Sequence, residues 1–245
     1  MSAATTLPIL AARIDDVPER VLVVGDPGRA GRVAERLVDA REVSRNREYV
    51  MFRGVHDGTE VGVVSHGVGS AGAAVCFEEL CRAGARRLIR AGTTGGLQPD
   101  VRDGALVIAR AAVRDEGITH RLVPAGYPAV ADVDVVQALR AAAADGGPPV
   151  VEGIVVTSDL FYPHEVLGSD LALWQRAGAI AVEMEVAALF VTASLHGVAA
   201  GAILTVDGNP LLAGDDDMSG YDPHRDVVRT ATDRMLTIAL DALVT

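Results

Sequence analysis

Residues 21–29 read Val-Leu-Val-Val-Gly-Asp-Pro-Gly-Arg, a short apolar run that stops at a glycine-proline turn closed by an arginine. Apolar, β-branched runs bounded by turn residues are strand signals, and glycine and proline supply the backbone angles a tight turn needs. Two later segments repeat the pattern: residues 61–72 run Val-Gly-Val-Val-Ser-His-Gly-Val-Gly-Ser-Ala-Gly, and residues 87–96 run Arg-Leu-Ile-Arg-Ala-Gly-Thr-Thr-Gly-Gly. Further strand candidates lie at 105–109, 150–157 and 199–206, separated by helical patterns near 30–40, 70–83, 132–145, 185–196 and 222–243. Alternation of this kind predicts an α/β fold, a three-layer αβα arrangement with a central mixed, largely parallel sheet flanked by helices. Apart from the turn Gly146-Gly147-Pro148-Pro149, no linker, repeat or low-complexity tract interrupts it, so one domain over 1–245 is expected.

Bulk properties narrow the function. The formal net charge of −11 argues against a nucleic-acid or membrane-surface partner, which needs clustered positive charge. No apolar stretch of about 20 residues could span a bilayer, and the first residues lack a signal-peptide pattern; a cytoplasmic protein is expected. All 22 basic side chains are arginine, which excludes Schiff-base lysine chemistry and a phosphate-loop lysine. The two cysteines, Cys76 and Cys81, fall five apart in one helical pattern, point in different directions and read as packing residues.

In α/β sheets, ligands bind beyond the carboxyl ends of the strands. Three glycine-rich segments at successive strand ends would let backbone N–H groups approach an anion, and two of them carry an arginine. Arg29 closes the first and Arg90 precedes the third, so two guanidinium forks could meet one tetrahedral anion together with Gly25 and the Thr93 hydroxyl. Gly67, Gly69 and Gly72 also match dinucleotide-binding spacing. The acidic residue expected some 20 positions later is missing, because Arg90 and Thr93 occupy that neighbourhood, which leaves an NADP-dependent reductase as a distant alternative.

Residues 181–190, Ala-Val-Glu-Met-Glu-Val-Ala-Ala-Leu-Phe, set Glu183 and Glu185 around Met184 deep in apolar sequence. Buried carboxylates are costly unless they bind something, and a ribose diol suits them; a helix N-terminus that favours acidic residues is the competing account. Asp207 ends the last apolar strand beside Gly208, where it could act as a general acid once burial raises its pKa, or merely cap a turn. Asp215, Asp216 and Asp217 lack cation-ligand spacing and read as a solvated loop, and 208–222 could form a lid.

Together these segments resemble the nucleoside phosphorylase family of hexameric purine nucleoside phosphorylases and uridine phosphorylases, especially its apicomplexan-type purine members. The likeness rests on 23–29, Asn-Arg-Glu-Tyr at 46–49, 65–72, 90–93, Val-Glu-Met-Glu at 182–185 and Val-Asp-Gly at 206–208. It implies that Gly25, Arg29, Arg90 and Thr93 hold phosphate, joined by Arg47 from a neighbouring subunit of a homo-oligomer, a hexamer built as a trimer of dimers. Glu183, Met184 and Glu185 would serve the ribose, Asp207 the purine N7, and Phe161 or Tyr162 the base. Phosphate would be a co-substrate, with no metal or organic cofactor. Two positions depart from the family pattern. Ile9 stands where a histidine usually reaches a neighbour's 5′-hydroxyl, which leaves room for a 5′-modified nucleoside such as methylthioadenosine, and Ala213 replaces a lid aromatic. Uridine is the rival substrate, although His164, Glu165, Val166 and Leu167 stand where pyrimidine enzymes carry a glutamine and an arginine. A non-catalytic nucleotide-binding module is the other alternative.

Overall fold

The computed structural model describes residues 6–144, 146–148, 150–211, 222 and 224–245. The strand Arg20–Val24 (β1) leads into the helix Pro27–Ala34 (α1), and Val38–Asn46 (β2), Tyr49–His56 (β3) and Thr59–Ser65 (β4) follow before the helix Ser70–Arg82 (α2). Arg87–Gly96 (β5) and Leu106–Asp115 (β6) precede the short helix Thr119–Leu122 (α3), the strand Ala129–Val130 (β7) and the helix Val133–Ala142 (α4). The chain ends with Val150–Ser158 (β8), Leu171–Arg176 (α5), Ala181–Glu183 (β9), Val186–His196 (α6), Ala199–Gly208 (β10) and Asp226–Val244 (α7).

The expected three layers are present, and alternation along β1 shows why. Val21 and Val23 pack with Phe77 and Leu80 of α2 and with α6, while Leu22 and Val24 pack with α1, α4 and α7 on the opposite face. A central strand buried on both faces must be apolar at every position, which is the pattern of residues 21–24. Cys76 and Cys81 are buried and unpaired within the α2 packing, as read from their spacing.

The sheet is mixed: β1 pairs in parallel with β4 and β5, β8 with β6 and β9, and β10 with β5, while β2, β3 and β4 form an antiparallel wing. Closure was not foreseen. β5 pairs with both β9 and β10, and β10 reaches β9 again through β6 and β8, so five strands join into a ring. The helix expected near 30–40 ends at Ala34, and β2 begins at Val38. β2 is a largely exposed edge strand, and its charged residues mimic the surface of a helix.

The glycines at 92–96 are not a turn. β5 runs through them to Gly96, and small size serves packing there: a Cβ on Gly95 would lie 2.8 Å from Cδ of Pro210, and one on Gly96 would run into the Val101 carbonyl. Gly96→Ala should therefore cost about 1–3 kcal/mol of stability, read from urea unfolding, because a backbone carbonyl cannot step aside.

Candidate functional site

A cleft of about 1260 Å³ opens along the carboxyl ends of β1, β5 and β10, bounded by the described residues. Gly25, Arg29, Arg90, Thr93, Glu183, Met184, Glu185, Phe161 and Asp207, all proposed from sequence, line it together. Of the aromatic pair, Phe161 lines the cleft, and Tyr162, which does not, packs edge-on against it at 4.8 Å between ring centroids. Arg47 does not line this cleft. It sits exposed at the β2–β3 hairpin tip with φ 55°, in the left-handed region. Ile9 lies close to that tip, where its carbonyl accepts from Asn46 Nδ2 at 2.8 Å and its N–H donates to Glu79. Ala213, the three aspartates at 215–217 and most of 208–222 fall outside the described residues.

Arg90 is the hub. Its Nε donates to Glu183 Oε2 at 3.2 Å, its Nη2 to Glu185 Oε2 at 2.5 Å, and its Nη1 faces His66 Nε2 at 3.2 Å. All four side chains are buried, Arg90, Glu183 and Glu185 each at 4% exposure and His66 at 0%. Gly92 makes this possible: a Cβ there would sit 2.7 Å from Cζ of Arg90.

The two carboxylates, alike in sequence, do different work. Glu183 accepts from the N–H groups of Glu185 and Val186 at 2.8 and 2.9 Å, from Thr157 Oγ1 at 2.6 Å and from Arg90, so both its oxygens are engaged in closing the start of α6. The competing account of residues 181–190, a helix start that favours acidic side chains, thus describes Glu183. Glu185 is held at one end by the Gly69 N–H at 2.6 Å and at the other by Arg90, each oxygen retaining acceptor capacity. Burial pushes the Glu185 carboxyl above its usual value against the pull of Arg90, and neighbouring Glu183 adds to the rise.

Both helix N-termini expected to meet an anion are already covered by carboxylates. Asp26 caps α1, accepting from the Gly28 and Arg29 N–H groups at 3.0 and 2.9 Å, and Glu185 covers the start of α2. The glycine spacing at 67–72 therefore presents its helix start to Glu185, not to a pyrophosphate. Positive charge in the cleft comes from side chains instead. Arg29 makes one long contact, Nη1 to the Ala91 carbonyl at 3.5 Å, and its buried Nε has no partner. Burial, with nearby Arg90 adding repulsion, lowers its pKa to about 10. A cation so placed favours a mobile anion.

Asp207, 6% exposed, is the extra residue of a β-bulge: Val206 pairs with Thr94 and Gly208 with Gly95, leaving Asp207 between consecutive partners. Bulges re-aim side chains, and this one delivers Asp207 into the cleft, close enough to act on Arg29. Arg225 was missed from sequence. It donates to the Asp207 carbonyl at 2.9 Å and pairs with Asp103 at 2.6 Å, anchoring the bulge. His66 was missed too, although a histidine closing a buried strand just before a glycine turn was visible within residues 61–72.

The fold and cleft define a class: an α/β protein with a partly closed sheet whose strand ends bring a buried cation, an oriented carboxylate and a bulged acid around one small-molecule site. The chain belongs to the phosphorylase superfamily, whose sequence pattern matches residues 19–245. It is 42% identical over 224 residues to a purine nucleoside phosphorylase of Plasmodium falciparum, covering 91% of this chain and 89% of that one. It is 38% identical over 209 residues to a uridine phosphorylase of Treponema pallidum, with 82% and 81% covered. The crystal structure of purine nucleoside phosphorylase from Toxoplasma gondii in complex with immucillin-H superposes with a TM-score of 0.93 at 36% identity, covering 99% of this chain and 97% of that one. Among the described residues no helix is long and apolar enough to cross a membrane.

Proposed function

We propose that the chain catalyses phosphorolysis of purine nucleosides of the inosine and guanosine type, giving free base and ribose-1-phosphate. The observation that carries this reading is one cleft joining the under-partnered Arg29 guanidinium to Glu185 and Asp207. Arg29, Arg90, Thr93 and the Gly25 backbone hold phosphate below the sugar. Phosphate oxygen bonds to C1′ as the bond from C1′ to the purine nitrogen breaks, and that electron pair leaves with the base. Phosphate and Glu185 stabilise the cationic sugar, while Asp207 donates a hydrogen bond or proton at N7 of the departing purine. Met184 and Glu185 seat the ribose, and Phe161 lies against the base. Glu183 acts through Arg90 and α6 rather than on the sugar. Phosphate is the co-substrate, and the reaction balances without a metal or organic cofactor.

The cleft is one of several in a cytoplasmic homo-oligomer, a hexamer in this reading, with Arg47 supplied across a dimer interface. Its exposure at a hairpin tip, outside the lining of its own cleft, supports this role. Purine over uridine is supported by the segment after Phe161 and Tyr162: Val166 and Leu167 stand 76% and 93% exposed, and neither they nor Glu165 line the cleft. The test is phosphate-dependent base release across inosine, guanosine, adenosine, 5′-methylthioadenosine and uridine. Release from inosine or guanosine is expected. Cleavage of uridine alone, or binding of nucleosides with no phosphate-dependent release, would overturn the reading.

Glu185→Gln separates the two halves of the site. It should lower kcat/KM for nucleoside by roughly 10- to 100-fold, the worth of a hydrogen bond to a charged group. Phosphate binding, followed by calorimetry, should hold or tighten, because a like charge beside the anion is gone.

A further inference from the structure

We infer that His66 is a positioning residue for phosphate, acting through Arg90 by accepting from its guanidinium at Nε2; this rests on the proposed phosphorolysis. The His66 Nδ1 lies 2.9 Å from the Gly67 carbonyl, which can only accept, so Nδ1 carries the hydrogen. Its Nε2 faces Arg90 Nη1, which can only donate, so Nε2 must offer a lone pair. One tautomer of the neutral ring satisfies both contacts, and a protonated ring satisfies only the first. Burial, followed by the charges of Arg90 and Arg29, holds the imidazole well below its usual pKa. Phe77 fixes the ring from the side, edge-to-face at 5.3 Å.

The consequence falls on the Arg90 fork. Glu183 and Glu185 hold its Nε and Nη2, and without a third acceptor the plane could pivot about that edge. His66 stops the pivot on the Nη1 side. It does so without the negative charge that a third carboxylate would set beside the incoming phosphate, and without taking up the second Nη1 hydrogen. Glu183 cannot substitute, since both its oxygens are already engaged by backbone N–H groups and Thr157, and Glu185 already holds the Nη2 side of the fork.

The experiment compares wild type, His66→Phe and His66→Gln. Phenylalanine keeps the ring shape and removes the acceptor, while glutamine returns an amide oxygen near the Nε2 position. Loss of a hydrogen bond to a charged group predicts that His66→Phe raises the KM for phosphate by roughly 10- to 100-fold. Its nucleoside KM and kcat should change much less, and His66→Gln should recover most of the loss. In ¹⁵N-histidine-labelled wild type, one imidazole should stay in the Nδ1–H tautomer without titrating down to pH 5, and its Nε2 resonance should move when phosphate is added. This spectrum stands even if a variant fails to fold. A phosphate KM in folded His66→Phe equal to wild type, equal damage to both substrates, a glutamine variant no better than phenylalanine, or six titrating imidazoles would each overturn the inference. Wild type lacking phosphate-dependent base release would instead overturn the proposed function.

Discussion

Asp207→Ala should lower kcat/KM for purine phosphorolysis by about 10²- to 10⁴-fold, the range expected when a positioned acid is removed from a transition state. The protein should lose far less stability than activity, because the bulge itself is anchored through the Asp207 backbone. The Asp207 carbonyl accepts from Arg225, and Arg225 pairs with Asp103, neither of which depends on the Asp207 carboxyl. Alanine is also tolerated in the strand pairing, since the bulge already excludes this residue from the ladder. Asp207→Asn should keep more activity than alanine, as an amide can still donate toward N7. Rates with inosine, read beside urea unfolding of each variant, make the check. Equal proportional losses of rate and stability would assign Asp207 a structural role instead.

The second large effect separates the two arginines. Arg90→Met should lose phosphate binding and also destabilise the fold by roughly 3–5 kcal/mol, the cost of leaving buried carboxylates without their partner. Arg29→Met should lose phosphate binding with little change in stability, because Arg29 makes one long hydrogen bond and suffers repulsion from Arg90. The Arg90 variant carries a pH signature. Glu185 already titrates above its ordinary value of 4.5, and removing Arg90 takes away the main influence opposing that rise. A carboxyl with a raised folded-state pKa favours the native state below its unfolded value and loses that contribution as pH climbs through the folded one. The deficit of Arg90→Met should therefore be small near pH 4.5 and widen toward pH 8. Chemical unfolding across that range measures it, and a deficit that shrinks toward alkaline pH would contradict the ion network described here.

Much of the site was legible because its parts cluster at strand ends. Residues 21–29 carry their own punctuation, with Asp26 and Pro27 starting α1 so that Arg29 must emerge at the mouth of the sheet. Glu185 and Asp207 announced themselves as charges in apolar surroundings. Less legible was how Glu183 differs from Glu185, since both sit in the same local sequence. Only the approach of Thr157 from β8 and of Gly69 from α2 assigns one to the backbone and leaves the other facing the cleft. β2 was lost for a simpler reason: an exposed edge strand has no buried face to impose a period of two.

The amino-acid order by itself determined the α/β class, the central strands buried on both faces, and the set of arginines, glutamates and aspartate that meet in the cleft. These follow from hydrophobic periodicity and turn chemistry, which act over a few residues. Tertiary structure alone decided the closure of β5, β9, β8, β6 and β10 into a ring, the covering of the α2 start by Glu185, the bulge that aims Asp207, and the place of His66 beside Arg90. Each of those depends on groups 24 to 116 positions apart or on strand register, which no local pattern encodes.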